Sequence, residues 1–186
     1  MTLTSIMEKR RSIRKFKSKA VKLSHVIEIM DAGLNTPLAG NISTLKFIVL
    51  TDQNMKNNIA EYSDQHWISS ADTIIVVCSD ETRLKTTYKE HATVYAKQQV
   101  GAAVQNMLLR ITELGLGACW VGSYLEYEIK NILDIPSHVN IEAIIPIGYA
   151  DEKPKAKHKE SLENNIFWDK WNVRKKPTLI KDPKTW

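Results

Sequence analysis

The stretch KRRSIRKFK, residues 9–17, sets six basic side chains in nine positions and leaves Ser12, Ile13 and Phe16 between them. Charge this dense can grip nucleic acid, serve as a targeting signal, lie on a solvated face, or close on one small phosphate. Phosphate dianions favour several charge-assisted donors meeting at one point, each contributing roughly 1.5–3 kcal/mol. A stacking platform for nucleic acid needs aromatics interleaved with the cations, and Phe16 is the one aromatic in this run.

Other reactive constellations do not form. GLGACW, residues 115–120, has two of the three glycines of a dinucleotide fingerprint and leads into a strand rather than out of one. Gly115 and Gly117 are read instead as ending one helix and turning the chain. Ser123 lacks the glycine two positions on that a nucleophile elbow requires. The five histidines never pair at ligand spacing, and Cys78 and Cys119 sit in apolar runs without CxxC or Cys/His spacing. They read as buried thiols of a reducing compartment, and Glu126 and Glu128 as solvated acids on a surface turn. An enzyme built on this chain must take its reactive atom from a cofactor.

The elements that position these residues follow from periodicity. Leu3, Ile6 and Met7 give a short helix running into the basic cluster, and Leu23, Val26, Ile27, Met30 and Leu34 a second helix. NTPLAGNIST, residues 35–44, is a turn-rich loop, followed by a strand over 46–51 and a polar helix around 54–62. TIIVVCS, residues 73–79, is a strand covered on both faces. The pattern predicts one long helix from Thr86 to Leu114, with Gly115 as C-cap. Its middle, VGAAVQNMLL, is apolar or small nearly all round, which places it centrally or in a subunit interface. ACWVGS predicts a short strand ending at Gly122, residues 128–134 a short helix, and IEAIIPIGYA the last core strand.

At 186 residues, 43% of them hydrophobic and with a net charge of +5, the chain suits one well-buried soluble domain and is too mildly basic to imply nucleic acid. The longest uncharged stretch is about half a membrane span, and charge arrives at Glu8 without a following apolar run, so no membrane segment and no secretory leader are expected. A cytoplasmic α+β fold is expected, with a central, mainly antiparallel sheet surrounded by helices. Residues 1–165 would form the domain. Residues 166–186, rich in aromatics and poor in aliphatics, would be an extension wrapping a partner subunit.

Five segments, RRSIRKF (10–16), TPLAGNISTLKF (36–47), DQHWISSAD (64–72), LGLGACWVGSY (114–124) and PIGYADEKPKAKHK (146–159), resemble in order and spacing the FMN-dependent nitroreductase family. The resemblance implies FMN at a homodimer interface, with hydride passing through the flavin N5. Arg10, Arg11 and Ser12 then correspond to phosphate and ribityl ligands, and Arg14 to the cation beside the pyrimidine edge. Pro37, Leu38, Ala39 and Asn41 would come from the other subunit and line the ring and ribityl chain. Asp64 or Gln65 would meet the uracil-like edge, and Val121, Gly122 and Ser123 would approach N5 through backbone groups. Lys157 and Lys159 resemble the basic residues that close on the phosphate. No side-chain acid or base is assigned. The implied activity is ping-pong transfer of hydride from NADH or NADPH to a small-molecule acceptor such as a nitroaromatic or quinone. Dehalogenation, flavin cleavage or dehydrogenation on the same fold is the alternative, and a flavin-free anion- or nucleic-acid-binding protein the less favoured one. Leu38, Ser43, Leu45, Asp72 and Lys159 depart from the family's usual Ser, Gln, Trp, Pro and Arg.

Overall fold

The computed structural model describes residues 2–175 and residue 177. One compact unit ends at Pro154 and a second begins at Lys155.

The first unit is built on a four-stranded antiparallel sheet: β1 (Leu45–Leu50), β2 (Thr73–Asp80), β3 (Gly117–Ala118) and β4 (Val139–Gly148), in the order β1-β2-β4-β3. β2 is buried from Thr73 to Ser79 because both sheet faces are covered. On one face Ile75, Val77, Ala143 and Ile145 pack with Val104, Met107 and Ile111; on the other Ile74, Val76, Ile141 and Ile144 pack with Ile59, Ile68 and Ile129. The β2–β4 register shifts between Val77 and Cys78, so Val77 faces Ala143 and Cys78 faces Ile141. Glu142 is the extra residue of this bulge, and its carboxylate accepts the Ser79 hydroxyl at 2.7 Å.

The helices are α1 (Leu3–Lys9), α2 (Leu23–Leu34), α3 (Gln53–Tyr62), α4 (Thr82–Tyr88), α5 (Ala92–Glu113) and α6 (Glu126–Ile132). The helix expected from Thr86 to Leu114 is in fact two. Lys89 has φ +47°, a conformation no α-helix accepts, and it separates α4 from α5. The 22-residue α5 runs through the core, with Ala103, Val104 and Met107 fully buried. Gly115, φ +73°, ends it as expected.

The strand expected to run unbroken to Gly122 is interrupted, and β4 explains why. Ile144 exchanges both backbone hydrogen bonds with Val121, at 2.9 and 3.0 Å. Two residues further along the same edge stands Pro146, which has no N–H to offer Cys119. Pairing resumes only at Gly117 and Ala118. The two acids expected on a surface turn lie in the first turn of α6. There Glu126 accepts Ile141 N–H at 3.1 Å and pairs with Lys130 at 2.8 Å, which fixes α6 to β4. The Asp72 carboxylate accepts Val21 N–H at 2.9 Å and so anchors the entry to α2. Glu81 is buried. Burial alone would push its carboxyl up, but hydrogen bonds from Thr93 and Lys85 outweigh this and hold it below the ordinary carboxylate value.

In the second unit Ser161 caps α7 (Leu162–Asn165), accepting Glu163 N–H at 3.3 Å. Phe167 and Trp171 pack ring to ring at 4.5 Å, with the Arg174 guanidinium 4.7 Å above Phe167. These aromatics therefore partly cover one another, although Trp171 stays 79% exposed. Residues 176 and 178–186 of the expected wrapping extension, Trp186 included, lie outside the described residues. Among the described residues no helix is long and apolar enough to cross a membrane. Cys78 and Cys119 are both free and buried.

Candidate functional site

The basic segment is held by the two apolar residues inside it. Ile13 and Phe16 are buried, and Ser12 and Arg14 alternate outward. Ser12 bridges Ala118 in parallel, and Ile13 N–H donates to Ala118 at 2.9 Å. Ile13 lies so close to Gly117 that a Cβ there would fall 2.7 Å from Ile13 Cγ1. Phe16 lies on Gly148, where a Cβ would fall 2.9 Å from the ring. The two glycines let the segment lie flush against the sheet edge.

Arg10 is the C-cap of α1, its N–H donating to Ile6 at 3.0 Å. Arg11 turns back over the helix end. Its Nη1 donates to the carbonyls of Glu8 and Arg10, so it satisfies acceptors that the helix leaves open. Arg14 reaches the opposite way, its guanidinium carbon 5.8 Å from the centre of the Trp67 ring. Its backbone N–H and that of Lys15 both donate to one oxygen of Glu152, the latter at 3.1 Å.

The 119–123 segment completes this end of the sheet. Burial raises the Cys119 thiol above its ordinary value, against the pull of the Arg14 guanidinium, a hydrogen bond with Ser12 and the Arg10 guanidinium. That thiol thus lies among three of the expected ligands and stays protonated. Val121 is buried, whereas Gly122 and Ser123 are exposed. Among the described residues a Cβ on Gly122 would meet no atom within 4 Å, so they leave the space above this backbone open. Leu125 N–H donates to Tyr62 at 2.7 Å and ties the segment to the end of α3. The Asp64–Gln65 turn follows directly. Asp64 is exposed with φ +50°, Gln65 is half-buried, and the buried Ser63 hydroxyl beside them has no hydrogen-bond partner among the described residues. Burial also pushes the Tyr124 phenol up, and its hydroxyl donates to Ile141 at 2.8 Å.

Arg10, Ser12, Arg14, Gln65, Val121, Gly122 and Ser123 therefore belong to neighbouring segments at one end of the sheet. Pro37, Leu38, Ala39 and Asn41 lie elsewhere, in a turn packed on α4 and α5, where Ala39 and Ile42 meet Leu84, Ala92, Ala96, Tyr88 and Tyr95. Gly40 and Asn41 have φ of +56° and +58°, and a Cβ on Gly40 would fall 2.6 Å from the Tyr88 hydroxyl. Lys157 and Lys159 belong to the second unit and are exposed. Sequence reading missed Trp67 and Glu152. Trp67 sits two positions from Gln65, where an aromatic could have been suspected. Glu152, the second of two adjacent acids at the head of a lysine-rich run, carried no local signal.

Comparison with known proteins identifies the family and the fold. The sequence model of the Nitroreductase family matches residues 7–71 and 58–149. An Archaeoglobus fulgidus protein provisionally named NADH dehydrogenase/NAD(P)H nitroreductase is 31% identical over 150 residues, 77% of this chain and 83% of that one. Iodotyrosine deiodinase of Thermotoga neapolitana is 25% identical over 177 residues, covering 86% of this chain and 95% of its own. The solved structure of an FMN-dependent nitroreductase from Clostridium difficile superposes with a TM-score of 0.79 at 25% identity, over 90% of this chain and 99% of that one. Matched along most of its length in sequence and in fold, this chain belongs to the nitroreductase family and is an oxidoreductase.

Proposed function

We infer that the protein is a homodimeric, FMN-dependent oxidoreductase that takes hydride from NADH or NADPH and delivers it to a small-molecule acceptor such as a nitroaromatic or quinone. The observation that carries this reading is the gathering of Arg10, Ser12 and Arg14 around Cys119, on the segment that leads to the open backbone at Gly122. The donor set suits FMN: guanidinium and hydroxyl groups for a phosphate and ribityl chain, a bare glycine for a flat ring, and an unpartnered Ser63 hydroxyl by the Gln65 turn.

When bound, FMN supplies a two-electron centre that both accepts and donates hydride. Arg10 and Ser12 would hold the phosphate end, with Arg11 bracing the α1 terminus behind them. Arg14 would set its fixed charge at the pyrimidine edge, where it favours the reduced form over the oxidised one. Asp64 or Gln65 would meet the same edge, and the backbone at Val121–Ser123 would line the ring. Pro37, Leu38, Ala39 and Asn41 would serve the partner subunit's ring; within their own chain Ala39 seats this turn on α4 and α5. Lys157 and Lys159 enter this reading through the family resemblance alone. No side-chain acid or base is needed, because hydride transfer depends on positioning.

The purified protein is expected to be yellow, to release FMN on denaturation and to be bleached by NADH or NADPH. Arg14→Ala should weaken FMN binding at least about tenfold, the loss of one bond to a charged group. A colourless protein indifferent to added FMN would end the reading. The extension at 166–186 is proposed to pack on the partner subunit. Deleting those residues should loosen the dimer in sedimentation velocity, and an unaltered profile would refute it. The resemblance to iodotyrosine deiodinase supports one second reading, reductive dehalogenation on the same site. Turnover of halogenated phenols but not of a nitroaromatic panel would favour it.

A further inference from the structure

We propose that Glu152 is a positioning residue of the flavin site: it clamps the backbone at Arg14 and so leaves the Arg14 guanidinium free and fixed for the ligand. The proposal rests on the FMN reading above. Glu152 is 138 residues from Arg14 in sequence and lies on a strap, 149–152, that runs beside 14–17. Backbone bonds already zip these segments: Lys17 N–H to Tyr149 at 2.8 Å, Asp151 N–H to Lys15 at 2.9 Å, and a bridge between Phe16 and Ala150.

A carboxylate this close to a cationic cluster would ordinarily pair with a side chain, as Asp151 does with Lys15 at 3.5 Å. Glu152 does not. Its Oε1 accepts the successive N–H groups of Arg14 and Lys15, the concave double-donor arrangement that binds anions. Among the described residues the Arg14 guanidinium meets the Trp67 ring and no carboxylate. The negative charge thus holds the arginine by its backbone without neutralising its side chain. A guanidinium held in place is worth most where charge develops, since nothing must reorganise when it does. If the clamp is lost, the segment keeps its zipper but Arg14 gains freedom, and the preference for the reduced ligand falls.

The test compares wild-type holoprotein with Glu152→Ala and Glu152→Gln, the latter keeping an acceptor oxygen without the charge. The readouts are the two-electron midpoint potential of bound FMN, thermal stability, and amide hydrogen exchange at Arg14 and Lys15 in FMN-free protein. For Glu152→Ala the ratio of affinities for reduced over oxidised FMN should fall about tenfold, lowering the midpoint by about 30 mV. Exchange at both amides should quicken. Glu152→Gln should lose about threefold of the same ratio, and it decides the matter alone if the alanine variant does not fold. A lowered melting temperature with an unchanged potential would make Glu152 merely structural and overturn the proposal, as would no change in any readout. Wild-type protein that binds no FMN would instead end the flavin reading itself, and the inference with it. The two failures therefore differ in which protein shows them.

Discussion

Gly117→Val is expected to abolish useful FMN binding while leaving the sheet folded. A Cβ at this position would lie 2.7 Å from Ile13 Cγ1 and 3.0 Å from both Ile13 Cβ and Cγ2. Ile13 is β-branched and 6% exposed, so it has no free rotamer into which to retreat. The relief must come from the backbone of residues 12–14, the segment that presents Ser12 and Arg14. Overpacking of this kind costs about 1–3 kcal/mol of stability. The larger consequence is for the ligand. Misplacing two donors to a charged group forfeits about 3–6 kcal/mol, between two and four orders of magnitude in affinity. Fluorescence titration of FMN-free protein measures it. Gly117→Ala should fall between wild type and valine, and adding Ile13→Ala should recover part of the loss by removing Cγ1 and Cγ2. Wild-type affinity in a folded Gly117→Val protein would show that the segment is not held where the site needs it.

The second large effect is on the scaffold. Ile145 is fully buried at the middle of β4, paired with Ile75 on β2 and packed in the cluster that contains Val104 and Met107. Both strands are covered on both faces, so the surroundings have little room to collapse into a vacancy. Ile145→Ala should cost about 2–5 kcal/mol and lower the melting temperature by about 4–20 °C. Scanning calorimetry decides it. A loss below about 1 kcal/mol would mean that this face relaxes freely, contrary to close packing. Because β4 also carries Ile144, the partner of Val121, FMN affinity should fall alongside stability.

Much of this architecture is legible in the order of the amino acids. TIIVVCS announces β2 because a continuous β-branched run has few uses outside a strand covered on both sides. The helical spacing of Val26, Met30 and Leu34 likewise announces α2, and Gly115 announces the end of α5. The five segments that resemble the nitroreductase family lead to a membership that comparison establishes. Periodicity fails where one residue's backbone decides. Nothing in the side-chain pattern distinguishes Lys89, yet its positive φ divides one expected helix into α4 and α5.

Local pattern was thus enough for most of the elements, though not for their breaks at Lys89 and Cys119, and for the antiparallel α+β class and the residue types available for an anion, since these are written in periodicity and composition. Contact between distant residues had to wait for the folded chain. Pro146 interrupts β3 by withholding an N–H from a strand it meets only after folding. Glu152 reaches Arg14 across 138 residues. Arg10 and Arg11, adjacent in sequence, part company: Arg11 turns onto the carbonyls of α1 while Arg10 stands beside Cys119. A hydrogen bond is specific in geometry but carries no period along the chain, so such partners become visible only once the fold has brought them within reach.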